Sequence, residues 1–179
     1  GGACQIVVTQ PRRIAAIALA ERVAAERGSK AGGVVGYAVR LESKVSKDTR
    51  LLYCTTGVLL QKLRDDPTLV SLSHVVVDEV HERSLDSDFL LIVLRDALSR
   101  NPNLKVVLMS ATVNADRFVA YFSQPTAGPT PPSGRGGRIG GKEGGGSGKE
   151  GGEEGDSSGP LAAGRLSIPG RTFPIDDFF

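Results

Sequence analysis

The chain has 179 residues, 40% hydrophobic and 23% charged, with a formal net charge of +2. That is enough for one domain with its own core, and ordinary for a globular protein. No apolar run approaches the ~20 residues that span a bilayer, the N-terminus lacks the charged-then-apolar order of a signal peptide, and the two distant cysteines, Cys4 and Cys54, form no metal cluster.

Strand-like and helix-like runs alternate from residue 4 to residue 124. "CQIVVT" (4–9) is short, β-branched and apolar, and "RRIAAIALAERVAAERG" (12–28) is an Ala-rich helix pattern ending at Gly28, a helix C-cap. "VVGYAVR" (34–40) and "TRLLYCT" (49–55) read as strands, with Gly36 as a point of close backbone approach and Arg40 paired with Glu42. "TGVLLQKLRDD" (56–66) reads as a helix stopped before Pro67, and "HVVVD" (74–78) as a strand. "SDFLLIVLRDALSR" (87–100) has helical periodicity, "LKVVLMSA" (104–111) is a strand, and "NADRFVAYF" (114–122) is a helix with Asn114 as N-cap. Near-continuous apolar strands separated by helices predict an α/β fold, a mainly parallel sheet covered on both faces. Both cysteines sit in such runs and are expected to be buried and reduced.

Composition breaks at Pro125. Residues 134–159 contain 13 glycines and one aliphatic residue, too little apolar surface to offset the entropy of ordering them, so 125–164 is expected to be a flexible Gly-rich insertion. Structure is expected to resume at 165–179, with "LSI" as the last strand of the same domain and "PGRTFP" as an exit segment. Charge is uneven along the chain. Residues 1–50 carry nine Lys/Arg against four Asp/Glu, and residues 51–124 seven against nine, so the first third suits a polyanion-binding face.

The stretch "SHVVVDEVHERS" (73–84) drives an apolar strand into two adjacent carboxylates. Open parallel sheets bind ligands at the carboxyl ends of their strands, where Asp78 and Glu79 fall. Adjacent carboxylates repel unless a cation or a substrate proton uses them. A nucleotide-hydrolase reading gives them separate work. Asp78 holds Mg²⁺ through water, because Mg²⁺ keeps its waters, and Glu79 polarises the water that attacks a γ-phosphate. Three other strand ends carry groups of the same kind. "SAT" places Ser110 and Thr112 after one strand, and "TQPRR" places Thr9, Arg12 and Arg13 before a helix. "TTG" places Thr55, Thr56 and Gly57 before another. Hydroxyls, guanidiniums and free backbone N–H groups at helix starts suit phosphate contacts.

The order "TQPRRIAA", "VGYAVRLE", "TRLLYCTTGVLL", "DEVHERS", "LMSAT", "IPGRTFP" resembles the DEAH/RHA group of superfamily 2 RNA helicases, in the DExH subset with the DEVH spelling. It covers residues 5–124 and 166–179. The resemblance implies a RecA-like three-layer domain, ATP and Mg²⁺ as cofactors, and RNA gripped without sequence preference. It also implies 3′-to-5′ unwinding and a cytoplasmic location, with the nucleus as the alternative. It implies that Asp78 and Glu79 are the Walker B pair and that His81 couples the nucleotide site to a second RecA-like domain. Ser110 and Thr112 would link hydrolysis to strand separation, and Thr9, Arg12, Arg13, Thr55, Thr56 and Gly57 would lie on the RNA backbone. Without the resemblance, His81 reads as a histidine packed at a helix start and Arg83 as half of a surface ion pair.

The family's phosphate-cradling loop, G-x-x-x-x-G-K-[ST], is not found. The one near-match, Gly136 to Lys142, has Glu143 in the Ser/Thr position and lies in the Gly-rich run. The expectation is therefore a domain truncated at its N-terminal side, a fragment of a helicase that is inactive when isolated. The alternative is a degenerate, non-catalytic RNA-binding or scaffold module.

Overall fold

The computed structural model describes residues 4–111, 115–124 and 161–168. Among the described residues, six strands form one sheet in the order β3-β2-β4-β1-β5-β6. They are β1 (Ile6–Gln10), β2 (Val35–Val39), β3 (Glu42–Lys44), β4 (Leu51–Thr55), β5 (His74–Val77) and β6 (Lys105–Leu108). Every pairing is parallel except β2–β3. The α-helices among the described residues are α1 (Arg13–Glu26), α2 (Thr56–Asp65), α3 (Leu85–Arg100) and α4 (Ala115–Ser123).

The β-branched and aliphatic runs form the central strands because both their faces are covered. On one face α2 and α3 deliver Leu59, Leu63, Leu90, Leu94 and Ala97 onto Val7, Cys54, Val75 and Val77. On the other, α1 lays Ala16, Ala20 and Ala24, all fully buried, toward β2 and β4, where Val35 and Tyr37 meet it. Their spacing of four puts the three alanines in one row, and small side chains let the helix sit close to the sheet. Toward β6 this second face opens: Val107 and Met109 are exposed.

Helix ends follow local chemistry. Gly28 adopts φ +67° just after α1 and its N–H bonds the Ala25 carbonyl, as expected of a helix-terminating glycine. The third helix starts two residues earlier than its periodicity suggests, because Ser84 caps it, its side chain accepting from the Ser87 N–H at 3.2 Å. Asp86 and Asp88 in the first turn complement the helix dipole.

Four points of the sequence reading need correction. β3 is not predicted by its residues, since "ESK" has no strand propensity; it forms because Leu41, at φ 66°, turns the chain back onto β2. Glu42 does not pair with Arg40; it accepts from the Tyr37 hydroxyl at 2.6 Å and lies 3.9 Å from Arg13. That bond to Glu42, with burial, pushes the Tyr37 pKa up to about 12. Cys54 is buried, and burial pushes its thiol up to about 12, but Cys4, outside β1, is exposed. Leu166–Ile168 form no strand: Leu166 and Ile168 are exposed, and an isolated extended segment has no ladder to hold it. Of the expected insertion only 161–164 is described, while Asn114 and the segment from Pro169 onward lie outside the described residues.

Gly36 shows why its position tolerates no side chain. A Cβ there would sit 2.6 Å from the Lys44 carbonyl oxygen and 3.2 Å from Thr49 Cγ2. Gly36→Ala therefore forces β3 off β2 and is expected to lower stability by about 1–3 kcal/mol, read as a lower urea midpoint of the chain.

Candidate functional site

The parallel register brings the C-terminal ends of β4, β1, β5 and β6 side by side, in that order, along one rim. At ~4.8 Å per strand the row is roughly 14 Å long. From β4 come Thr55, Thr56 and Gly57; from β1, Gln10 and the turn to Arg12 and Arg13; from β5, Asp78 and Glu79; from β6, Ser110. Four separate segments of the sequence thus meet at one edge of one sheet. Thr112 lies outside the described residues.

Asp78 is held at both carboxylate oxygens. Oδ1 accepts from the Glu79 N–H at 2.8 Å and Oδ2 from Gln10 Nε2 at 2.6 Å. Its own N–H donates to the Thr9 carbonyl at 3.2 Å, fastening the end of β5 to that of β1. Glu79 follows in the left-handed region, φ 56° and ψ 36°, which is uncommon for a side-chain-bearing residue and costs of order 1–3 kcal/mol. A short 3-10 turn, Val80–Glu82, is pinned beyond it, the Val80 N–H donating to the Met109 carbonyl at 3.1 Å while the Val80 side chain enters the core.

This turn sets a chain of polar contacts. Glu79 Oε2 lies 3.3 Å from His81 Nδ1, and the same nitrogen lies 3.2 Å from Ser110 Oγ. The imidazole therefore bridges the carboxylate on β5 and the hydroxyl on β6. Arg83, also left-handed at φ 49°, makes a two-pronged ion pair with Asp88, at 2.8 and 2.9 Å. The pair holds the Asp88 carboxyl below its usual range, the hydrogen bond from Arg83 being the main cause.

The basic side of the rim is exposed. Arg12 and Arg13 stand at the start of α1, beside an open depression they line with Ile14, Ala15 and Ala18. The first turn of α1 has no acidic residue, so its N–H groups meet no carboxylate of their own turn. Arg12 Nη2 meets Glu82 Oε1 at 3.2 Å, a surface pair worth little. Gly57 is exposed and Thr55 half-buried, whereas the side chains of Thr9 and Thr56 are buried. The sequence expectation of a Thr9 hydroxyl at the surface is not met. Thr9 lies inside the central strand, which continues to Gln10, and its Oγ1 has no hydrogen-bond partner. Gln10, 3% exposed, does not stand out in the sequence; its one signal is a polar residue closing an apolar strand just before a proline.

Among the described residues no three His, Cys, Asp or Glu side chains gather as a metal cage. Each carboxylate oxygen of Asp78 offers about two lone pairs, of which one is used, so a single carboxylate remains able to accept from the water shell of a hydrated cation. This donor set fits outer-sphere Mg²⁺.

Compared with known proteins, residues 2–118 match the family model described as DEAD/DEAH box helicase. The chain belongs to that family. It is 60% identical over 122 residues to an Arabidopsis thaliana protein named DExH-box ATP-dependent RNA helicase DExH1, covering 68% of this chain and 12% of the relative. It is 48% identical over 174 residues to the human putative ATP-dependent RNA helicase DHX57, covering 97% of this chain and 10% of the relative. A Mycosarcoma maydis putative DEAH-box ATP-dependent helicase, UM11114, is 46% identical over 190 residues, with 10% of its length covered. The chain spans about a tenth of the length of these relatives. The six-stranded, mainly parallel sheet with flanking helices is consistent with the RecA-like fold of this helicase domain. Among the described residues of this family member, no helix is long and apolar enough to cross a membrane.

Proposed function

We propose that this chain supplies the part of the first motor domain from the TQPRR segment through Walker B to SAT, in an ATP-dependent RNA helicase that unwinds 3′ to 5′. The observation that carries the reading is the row of four neighbouring strand ends, acidic in the middle and basic beside it. Asp78, braced at both oxygens, would hold Mg²⁺ through water, and the bound cation would neutralise charge on the nucleotide phosphates. Glu79 would orient and polarise the attacking water, its left-handed backbone aiming the carboxylate off the end of β5. His81 would relay between Glu79 and Ser110 at the face turned to a second RecA-like domain, with Thr112 acting beside Ser110. Arg12 and Arg13, with Gly57 and the backbone of Thr55 and Thr56, would take RNA phosphates, which supply affinity without sequence information, while Thr9, buried and with its carbonyl bonded to the Asp78 N–H, would only brace that turn. Because the sequence has no usable G-x-x-x-x-G-K-[ST] loop, the 179 residues alone would not hydrolyse ATP. Cytoplasmic residence rests on the resemblance to the DEVH-spelled helicases, and imaging a tagged protein tests it.

The function is tested by a chimera in which this chain's segment replaces the matching 122-residue stretch of the Arabidopsis relative. The chimera should hydrolyse ATP on adding RNA and displace a strand from a duplex with a 3′ overhang. A chimera that binds RNA but never hydrolyses ATP would instead support the non-catalytic module. Arg12→Ala with Arg13→Ala should weaken RNA binding alike for all sequences. It should also reduce the slope of log affinity against log salt by about 1.4, or 0.7 for each single-strand phosphate that is no longer neutralised. An unchanged slope would remove these arginines from the RNA face.

A further inference from the structure

We propose that Gln10 is a positioning residue for Asp78, tying the basic turn that follows β1 to the carboxylate at the end of β5. β1 and β5 run parallel with Thr9 opposite Val77, so the next pair in register is Gln10 and Asp78. Neighbouring parallel strands lie about 4.8 Å apart, within reach of a Gln amide and a carboxylate that leave the sheet on the same side. The side chain of Gln10 is buried, and its Nε2 donates to Asp78 Oδ2 at 2.6 Å. A hydrogen bond to an ionised acceptor is shorter and stronger than one between neutral groups.

The consequence is a carboxylate with little freedom. Asp78 Oδ1 is taken by the Glu79 N–H and Oδ2 by Gln10, so rotation about either side-chain bond breaks a hydrogen bond. An apolar residue at position 10 would strand Oδ2 without its donor in a half-buried place, leaving the carboxylate to choose among other rotamers. Gln10 also sits two residues from Arg12, whose guanidinium reaches Glu82 on the same segment that carries Asp78. That outer pair is exposed, and a phosphate can displace it. The inner bond is buried and persists. One rigid strand end thus serves the RNA-facing arginines on the outside and the metal-facing carboxylate within. The part of the proposal that concerns metal and RNA rests on the helicase reading above; the Gln10–Asp78 tie itself does not.

The tie is tested on the 179-residue chain by exchanging donor and acceptor. Gln10→Glu sets carboxylate against carboxylate and is expected to lower the folding equilibrium constant by roughly 10- to 100-fold, the loss that accompanies a broken bond to a charged group. Adding Asp78→Asn restores a donor across the gap, from Asn to Glu, and is expected to recover most of that loss in urea unfolding. Failure of Asp78→Asn to recover it overturns the tie. Should Gln10→Glu not fold, side-chain amide exchange in the unmodified chain decides. Gln10 Nε2 protons are expected to exchange far more slowly than those of a solvent-exposed glutamine, and solvent-like exchange overturns the tie.

The positioning role is read in the chimera. Gln10→Leu is expected to raise the Mg²⁺ concentration for half-maximal RNA-stimulated hydrolysis by about 10- to 100-fold, with the rate recovering at high Mg²⁺. An unchanged Mg²⁺ requirement in an active chimera overturns the role. A chimera with no hydrolysis at all, even without substitution at position 10, counts against the helicase reading and leaves the result on the isolated chain standing.

Discussion

Glu79→Gln in the chimera is expected to slow ATP hydrolysis by about 10²- to 10⁴-fold, the range typical of losing a positioned general base, while nucleotide binding is retained. The substitution keeps the side chain's length and its reach toward His81 but removes the charge that polarises water. The local backbone argues for the assignment. Glu79 occupies the left-handed region without being glycine, and it does so because its neighbours fix it. The Val80 side chain is anchored in the core, the Val80 N–H is taken by Met109, and the Glu79 N–H by Asp78. Strain held in place from both sides is what a site needs to aim one carboxylate away from the next. The measurement is single-turnover hydrolysis beside equilibrium binding of a fluorescent ATP analogue. Hydrolysis that survives at more than a tenth of the parent rate would remove Glu79 from the chemistry, and loss of binding together with hydrolysis would make it a binding residue.

Leu94→Ala is expected to lower the stability of the chain by about 2–5 kcal/mol. Leu94 is fully buried on α3, in the cluster where α2 and α3 meet β1, β4 and β5, and that cluster seats the strand ends of the site. The cavity left is costly to close, because the cluster around it draws side chains from two helices and the central strands of the sheet. Urea unfolding followed by circular dichroism should show a lower midpoint at an unchanged slope. A loss under 1 kcal/mol would mean that α3 rides loosely on the sheet. The same substitution at exposed Ile92, on the outer side of that helix, should change stability by less than about 0.5 kcal/mol.

Much of the framework is legible in the residues themselves. "IVV", "LLYC", "HVVV" and "KVVL" are too apolar and too β-branched to sit anywhere but inside a sheet, and the predicted runs match these strands to within two residues at each end, except that the run 104–111 passes the end of β6 by three. The helix of Ala16, Ala20 and Ala24 is legible from its alanine content and from the glycine that ends it. What escapes a local reading is whatever depends on a partner distant in sequence. β3 has no propensity of its own and forms on β2 after the left-handed turn at Leu41. "LSI" has the propensity and yet belongs to no strand among the described residues. Cys4 looks like part of a strand and lies just outside it, beside Ser73 and His74.

The site divides in the same way. The residue types of the rim, two carboxylates after a strand, two arginines before a helix, hydroxyls at two further strand ends, are visible in the sequence, because chemistry at the ends of apolar runs is a local signal. Their convergence is not. It follows from the order β4-β1-β5-β6, in which residues 68 apart in sequence, Ile6 and His74, become neighbours. Nor can local reading tell Thr9 from Gln10. Adjacent residues of one strand face opposite sides of the sheet, and the packing of helices decides that the threonine hydroxyl goes without a partner while the glutamine amide meets Asp78. Sequence alone determined which groups stand at the strand ends. Only the folded sheet decided which of them touch, because contact across strands is set by register and burial, and neither is written in any one segment.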